Sequence, residues 1–193
     1  LESLYENWNV FVVDDKSVDN TTKIISKFRV NLIRNKFNLG YSRSIQKGIL
    51  KAKQSGFRYA ITFDCDGEHR AEHLPEFIKL LKKGNALVVG SRNKKNRFSE
   101  KLFSIFMNFF FKIEDPFCGL KGYDLTQIKF DNNYLRIPME DVNTYLMIIF
   151  LKKGLKYCNC KINVGTRTNN ITSRFGNALF GEIKLFRSLL YWI

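Results

Sequence analysis

Short apolar runs rich in β-branched residues alternate with segments of helical periodicity along the chain. The strand-like runs are 8–13, 30–35, 58–66 and 86–92. The segments with helical spacing lie between them, at 17–28, 41–55 and 71–83. This alternation predicts an α/β fold with a mainly parallel central sheet flanked by helices.

The chain carries no sign of a division into domains. We find no internal repeat, no low-complexity tract and no linker rich in Pro, Gly or Ser. Its 193 residues suit one domain with a sizeable core. We therefore expect a single domain over 1–193, with an amphipathic C-terminal helix over 175–193.

Polar clusters follow three of the predicted strands. They are Asp14-Asp15, the acidic group Asp64, Asp66 and Glu68, and Ser91-Arg92. In doubly wound sheets the ligands bind beyond the carboxyl ends of the strands, where these clusters are expected to lie. One acidic cluster after a strand more often only caps the next helix. Three clusters at one edge favour a ligand site.

The middle cluster places three carboxylates within five residues, ITFDCDGEH at 61–69. Carboxylates this close repel one another unless a cation relieves the repulsion. A D-x-D pattern at a strand end offers hard oxygen ligands, which suit Mg²⁺ or Mn²⁺ bound together with a diphosphate. The pattern is common on its own, so its weight depends on the neighbouring clusters.

Charge adds a preference for anionic partners. The formal net charge is +14, which favours nucleic acid, an acidic membrane surface or phosphorylated substrates. The basic residues are scattered and no nucleic-acid motif is present, so no nucleic-acid partner is expected. No stretch reaches the roughly 18 apolar residues of a membrane span.

The cysteines and histidines do not suggest a metal centre. Four cysteines in a chain of this length point to reduced thiols in a cytosolic protein. Cys158 and Cys160 are interpreted as two buried thiols on one strand face, because no histidine lies near them in sequence. His69 and His73 are expected at the surface or behind the ligands.

An ordered set of motifs covers most of the chain. It consists of VVDDKSVDNT (12–21), NLGYSRSIQKGI (38–49), FDCDGEH (63–69), VVGSR (88–92), DPFCGLKGYD (115–124), MED (139–141) and RTNNITSRFG (167–176). In this order the motifs resemble glycosyltransferase family 2, the inverting nucleotide-sugar transferases with the Rossmann-like A-type (GT-A) fold. Within the family, the dolichol-phosphate and polyprenol-phosphate sugar transferases are the most similar.

The resemblance implies a nucleotide-diphosphate sugar as donor and Mg²⁺ or Mn²⁺ as cofactor. Asp64, Asp66 and Glu68 are the implied metal ligands, with Asp66 the best candidate for direct ligation. The residues implied to bind the nucleotide sugar are Asp14, Asp15, Ser17, Asn38, Gly40, Asp64, Arg167 and Arg174. Arg167 and Arg174 would lie on a loop that closes over the diphosphate.

The resemblance also implies an acceptor site and a catalytic group. The implied acceptor-binding residues are Ser91, Arg92, Cys118 and Gly119, with the Arg92 guanidinium placed to bind a phosphate bidentately. The implied catalytic residues are Asp141, Glu140 and Arg92. Glu140 and Asp141 are candidates for a base or for a contact with the acceptor.

Several of these residues have simpler interpretations. Asn38–Gly40 could be an ordinary turn before a helix. Glu140 and Asp141 follow a proline and could be first-turn acids favoured by the helix dipole. Arg167 could be a solvated surface residue.

The chain also departs from the family pattern. Family members begin with a strand that carries a P-x-Y-N-E-like element, and this chain begins after it, so the first strand is expected to be missing. Lys16 stands at the usual glycine of the turn after Asp15, and Ser44 at a usual small apolar position. These departures leave an inactive nucleotide-sugar-fold binding subunit as an alternative.

Two apolar segments favour peripheral association with a membrane. Segments 99–113 and 175–193 carry apolar stripes at helical spacing, flanked by basic residues. We therefore expect a polyprenyl phosphate acceptor and action at the cytoplasmic face of a membrane. The alternative acceptor is a saccharide hydroxyl, with Asp141 as the base.

Overall fold

The computed structural model describes residues 8–93, 98–128 and 142–165, with residues 98–100 and 102 described by backbone alone. The strands are β1 (Phe11–Asp14), β2 (Asn31–Arg34), β3 (Tyr59–Thr62), β4 (Leu87–Arg92), β5 (Lys121–Asp124) and β6 (Tyr157–Ile162). The helices are α1 (Thr21–Ile25), α2 (Tyr41–Gln54), α3 (Leu74–Lys82), α4 (Phe98–Phe111) and α5 (Val142–Lys152). The predicted alternation of strands and helices is confirmed from β1 to β4.

The strands form two sheets. β1 and β2 pair in parallel, and β3, β5, β4 and β6 form a four-stranded sheet in that order. β5 runs antiparallel to both of its neighbours, whereas β4 and β6 pair in parallel. Three of the four strands in the larger sheet therefore share one direction, and the reversed strand β5 lies between β3 and β4. The α/β class is as predicted, and the antiparallel inner strand is a feature that the sequence did not reveal.

Helices cover both faces of the larger sheet. On one face, Leu87 and Val89 of β4 pack with buried residues of α2, α4 and α5. On the other face, Val88 packs against Phe77 and Leu81 of α3. Alternate residues of β4 thus face opposite layers, as strand geometry requires, and all three strand residues are fully buried. None of the described helices is long and apolar enough to cross a bilayer.

The packing brings the strand ends to a common edge. Gly122 of β5 allows α3 to approach closely, because a Cβ there would lie 3.1 Å from Leu81 Cδ1. Gly90 of β4 is equally confined, since its Cβ would lie 2.8 Å from both Cys118 Sγ and the Leu120 carbonyl oxygen. The segment that precedes β5 is therefore held against the carboxyl end of β4, where the candidate site is built.

Candidate active site

The first polar cluster organises the start of α2. Asp15 Oδ1 accepts hydrogen bonds from the Leu39 amide at 2.7 Å and from Asn35 Nδ2 at 2.9 Å, and Oδ2 accepts one from the Gly40 amide at 2.8 Å. Partial burial opposes ionisation, but these hydrogen bonds outweigh it and lower the pKa of Asp15. Gly40 has a φ of 84°, a left-handed conformation that glycine adopts without strain. Asp15 therefore fixes the turn through which the chain enters α2.

Asp14 is engaged within the same cluster. Its Oδ1 accepts a hydrogen bond from the Ser17 amide at 3.0 Å, and Oδ2 lies 3.1 Å from Arg34 Nε without hydrogen-bond alignment. Between Asp14 and Ser17, Lys16 has a φ of 65°. This left-handed conformation explains why a glycine would suit position 16.

Asp64, just beyond β3, lies in a confined and partly buried place. Tyr41, the first residue of α2, donates its hydroxyl to Asp64 Oδ1 at 2.9 Å. A Cβ at position 119 would clash with Asp64 Oδ2, so glycine at 119 leaves room for the carboxylate in this position. Burial raises the pKa of Asp64, and the nearby charges of Asp66 and Glu68 raise it further, against the hydrogen bond from Tyr41, which lowers it.

His69 has a neutral imidazole ring and accepts a hydrogen bond from the backbone of Asp64. The Asp64 amide donates to His69 Nδ1 at 3.1 Å, so Nδ1 is the acceptor and the proton lies on Nε2. Burial lowers the pKa of His69, which agrees with a neutral imidazole. The 3.9 Å approach of Nδ1 to Asp64 Oδ2 is therefore not an ion pair. The expectation that His69 stands behind the ligands agrees with this geometry.

The two aspartates fit a divalent ion, and the predicted set of three carboxylates is not preassembled. Asp66 accepts from the Glu68 amide at 3.0 Å, which turns the loop, while Glu68 Oε1 lies 3.2 Å from Arg92 Nη1. Across the described part of the chain, no three acidic, histidine or cysteine side chains converge as metal ligands. Magnesium sites commonly use one or two carboxylates together with substrate phosphates. Hard oxygens and unrelieved negative charge at Asp64 suit such a site.

Arg92 connects the second and third polar clusters. Its Nε and Nη2 donate to the two carboxylate oxygens of Asp115 at 2.7 and 3.1 Å, and Nη1 donates to Glu68. The side chains of Arg92, Glu68 and Asp115 are only 10%, 13% and 1% exposed. The two guanidinium nitrogens of Arg92 that were expected to hold an acceptor phosphate thus donate to Asp115 instead. Such a bidentate ion pair is strong and geometrically specific.

The turn before β5 is held by a buried lysine. Lys121 is fully buried and its ammonium donates to the carbonyl oxygens of Pro116 and Cys118 at 2.9 and 2.5 Å. Thr62 Oγ1 of β3 donates to the Gly119 carbonyl at 2.6 Å. These contacts fix the backbone of the turn at 116–119 against the end of β3, which leads to Asp64. Cys118 is inert as a thiol, because burial raises its pKa to about 12.

A cleft of about 590 Å³ opens beside this network, between the ends of β4 and β6 and the helix α4. Its lining is mostly polar or basic: Ser91, Arg92, Asn93, Lys101, Ser104, Ile105, Asn108, Glu114 and Lys161. Ser91 donates its hydroxyl to Glu114 Oε2 at 2.6 Å. The Ser104 hydroxyl is buried and finds no hydrogen-bond partner within the described residues. Arg92 is already paired with Asp115 and Glu68, so Lys101 and Lys161 supply the remaining positive charge against the one lining carboxylate, Glu114, and the cleft suits an anion.

The three predicted clusters lie together, as expected from the strand ends. Asp15 fixes the turn that leads to Tyr41, Tyr41 contacts Asp64, and Glu68 contacts Arg92. Sequence reasoning missed the roles of Tyr41, Glu114, Asp115 and Lys121, although Asp115-Pro116 opens one of the motifs. Glu140, Asp141, Arg167, Arg174 and the segment 175–193 lie outside the described residues.

The chain is similar in sequence to known proteins. An uncharacterised protein of Methanocaldococcus jannaschii is 32% identical over 169 residues, which cover 75% of this chain and 71% of that protein. A UDP-N-acetylglucosamine–dolichyl-phosphate N-acetylglucosaminyltransferase of Methanococcus voltae is 25% identical over 212 residues, covering 94% of this chain and 84% of the relative.

The fold is that of nucleotide-sugar transferases. Glucosyl-3-phosphoglycerate synthase from Mycobacterium tuberculosis, solved with Mn²⁺ and UDP-glucose, matches with a TM-score of 0.67 at 15% identity. The match covers 94% of this chain and 67% of that one, and at this identity it shows the fold alone. Residues 1–127 match the profile described as Glycosyl transferase family 2. The chain belongs to glycosyltransferase family 2.

Proposed function

We propose that this glycosyltransferase moves a sugar, with inversion, from a nucleotide-diphosphate donor to a polyprenyl phosphate at a membrane surface. One observation carries the proposal. The cleft lined by Ser91 and Arg92 is also lined by α4, through Lys101, Ser104 and Ile105. A polar, cationic cleft thus adjoins a helix whose outer face is apolar. A polyprenyl phosphate would match both surfaces, with its phosphate in the cleft and its isoprenoid tail along the helix.

The proposed binding of a nucleotide-sugar donor is supported by the acidic residues that follow β3. Asp64 and Asp66 would hold Mg²⁺ or Mn²⁺ jointly with the donor diphosphate, and Glu68 would stand beside them, paired with Arg92. When bound, the ion supplies charge neutralisation for the departing diphosphate. The distant structural relative solved with Mn²⁺ and UDP-glucose shares the fold, which supports a divalent ion as cofactor. Arg167 and Arg174 remain proposed contacts to the diphosphate, as do Asp14, Asp15, Ser17, Asn38 and Gly40 to the rest of the donor.

The acceptor side is supported by the charge of the cleft. Arg92, Lys101 and Lys161 line it together with the single acid Glu114. Arg92 is held by Asp115 and Glu68, whose carboxylates offset its charge, so we propose that Arg92 shapes the site and that the two lysines make the main contacts with the phosphate. Ser91 also lines the proposed acceptor site, whereas Cys118, which is fully buried, and Gly119 are proposed to support it from behind the cleft. The Methanococcus voltae relative, named for a dolichyl-phosphate acceptor, supports a lipid phosphate.

A phosphate acceptor also explains why a strong base is not required. A phosphate monoester is already anionic near neutral pH, since its second pKa is about 6. A saccharide hydroxyl would instead need a base within hydrogen-bond reach. Asp141, with Glu140 beside it, is the candidate base in that alternative reaction.

Helix α4 offers a surface that suits a bilayer. Phe103 and Met107 are buried, whereas Ile105, Phe106, Phe109 and Phe110 are exposed. The exposed rings contact one another, with centroids 4.7 Å apart for Phe106 and Phe110. A contiguous aromatic patch of this kind marks an interaction surface, and a net charge of +14 directs it to anionic lipid. Ile113, whose spacing places it on the apolar stripe of segment 99–113, is fully buried and does not belong to this surface.

The donor half of the proposal is tested by thermal stabilisation with a panel of nucleotide sugars, with and without Mn²⁺. We expect one donor to raise the melting temperature by several degrees in the presence of Mn²⁺ and by much less when EDTA is added. Ligand at about 100 times its Kd stabilises a protein by about 2.7 kcal/mol, which is an observable shift. A panel in which no nucleotide sugar gives a metal-dependent shift would overturn the proposal.

The membrane half is tested by flotation with anionic liposomes at low salt. The wild type should float, and Phe109→Ser/Phe110→Ser should stay largely unbound, because two exposed apolar anchors are lost. The matched control is Phe28→Ser/Phe37→Ser, since Phe28 and Phe37 are 57% and 72% exposed, against 61% and 72% for Phe110 and Phe109. If both double variants float like the wild type, α4 is not the contact surface.

A further inference from the structure

A chain of hydrogen bonds runs from the core to the carboxylate of Asp64. Tyr123 of β5 donates its hydroxyl to Asn143 Oδ1 at 3.1 Å, and Asn143 Nδ2 donates to the Tyr41 hydroxyl oxygen at 3.3 Å. Tyr41 in turn donates to Asp64 Oδ1 at 2.9 Å. Tyr123 and Asn143 are buried, with 0% and 1% exposure. Four side chains from β5, α5, α2 and the loop after β3 are thus joined in sequence.

The direction of this chain follows from its ends. An ionised carboxylate can only accept hydrogen bonds, so Tyr41 must use its single proton toward Asp64. The Tyr41 oxygen then accepts from the amide nitrogen of Asn143, which leaves the amide oxygen to accept from Tyr123. Each link orients the next, and the bonds polarise one another in the same direction. The geometry of Asp64 therefore depends on three residues outside the D-x-D motif, Tyr41, Asn143 and Tyr123.

The same contact joins the first turns of two helices. The Val142 amide donates to Ser42 Oγ at 3.3 Å, beside the contact between Asn143 and Tyr41. Asn143 is the second residue of α5, and Glu140 and Asp141 directly precede that helix in sequence. The start of α2, which Asp15 fixes, is therefore hydrogen-bonded both to Asp64 and to the first turn of α5.

We infer that Tyr41 and Asn143 are positioning residues, which hold Asp64 in the orientation that a divalent ion bound with a nucleoside diphosphate requires. The inference rests on the proposed function, because it concerns the same carboxylate. Tyr41 acts directly on Asp64, and Asn143 acts through the Tyr41 hydroxyl. Neither residue is assigned a contact with the substrate.

The test is a titration of Mn²⁺ into the protein with UDP present, and with GDP in parallel, followed by calorimetry. Tyr41→Phe removes one hydroxyl and should raise the half-saturating Mn²⁺ concentration about tenfold, the effect expected for losing a hydrogen bond to a charged group. The melting temperature without ligand should change little. The control is Tyr59→Phe on β3, which makes the same substitution away from the hydrogen-bond chain and should leave the titration unchanged.

The role of Asn143 needs a variant that folds. Asn143→Leu alone would leave the buried Tyr123 hydroxyl without this partner, so it is combined with Tyr123→Phe, which replaces both partners with apolar groups. This double variant should also weaken Mn²⁺ binding. Adding Tyr41→Phe to it should weaken binding no further than Tyr41→Phe alone, because Asn143 acts through that hydroxyl.

The outcomes separate the two proposals. A wild type that binds no Mn²⁺ with either nucleotide overturns the proposed function and this inference together. A wild type that binds Mn²⁺ while Tyr41→Phe binds it equally well overturns the inference alone. Independent, additive effects of the Tyr41 and Asn143 variants would show that Asn143 does not act through Tyr41.

Discussion

Replacing Asp66 with asparagine should abolish transfer and remove the Mn²⁺ enhancement of nucleotide binding while leaving the fold intact. The Asp66 carboxylate accepts a hydrogen bond from the Glu68 amide at 3.0 Å, and an asparagine side chain can accept the same bond. The turn is thereby kept and only the negative charge is lost. Calorimetry with Mn²⁺ and UDP measures the effect on binding, and circular dichroism checks the fold.

Asp19→Asn is the matched control for this variant. Asp19 accepts from the Thr21 amide at 2.9 Å, also two residues on, but it is exposed and lies on the loop before α1. The control should keep both binding and transfer. If Asp66→Asn retains metal-dependent binding like the control, Asp66 is not a ligand of the ion.

Arg92→Ala should destabilise the protein severely and stop transfer. The variant would leave the Asp115 and Glu68 carboxylates, both largely buried, without this cation. Removing one partner of a buried ion pair costs about 3–5 kcal/mol, because the remaining charge stays desolvated. Urea unfolding should show this loss as a lower midpoint at an unchanged slope. Arg92→Lys should recover part of the stability, since an ammonium keeps the positive charge but cannot reproduce the bidentate hydrogen bonds of the guanidinium to Asp115.

Arg58→Ala provides the comparison. Arg58 also pairs with an aspartate, Asp124, at 3.2 Å, but its side chain is 63% exposed. Only the guanidinium is exposed, and the Asp124 carboxylate, which is 8% exposed, keeps its hydrogen bonds from the Thr126 amide and hydroxyl, so we expect a smaller loss than for Arg92→Ala. Equal unfolding midpoints for Arg92→Ala and Arg58→Ala would contradict the view that Arg92 holds the site together.

The sequence was sufficient to predict the positions of the polar clusters. β-branched runs locate β1, β3 and β4, and the polar residues at their carboxyl ends must meet at one edge because these strands pack in an α/β arrangement. The predicted helix over 99–113 was also present as α4, because its apolar spacing is periodic. What the pattern could not assign was which apolar residues of α4 face the core, since both of its faces are rich in phenylalanine.

The antiparallel strand β5 could not be predicted for a physical reason. Its four residues, KGYD, include two charged side chains and a glycine, a composition that is typical of a loop. The structure buries Lys121 by satisfying its ammonium with two carbonyl oxygens, and it pairs Asp124 with Arg58. Both contacts depend on tertiary structure and leave no periodic signal.

The partners of the site residues were hidden for the same reason. Arg92 and Asp115 are 23 residues apart, and Asn143 lies 102 residues from Tyr41. Pairings at such separations follow from the packing of β5 and α5 and not from local sequence. The D-x-D motif therefore predicted the candidate carboxylates, whereas the structure identified the side chains that contact and orient them.

The central claim is tested most directly by following a labelled sugar. The donor selected by the panel, carrying a radioactive sugar, is incubated with the protein, Mn²⁺ and a short-chain polyprenyl phosphate, and the mixture is then extracted with organic solvent. The account predicts metal-dependent transfer of label into the organic phase, lost in Asp66→Asn and retained in Asp141→Asn. Label that stays in the aqueous phase, with Asp141→Asn as the variant that stops transfer to a saccharide, would contradict it.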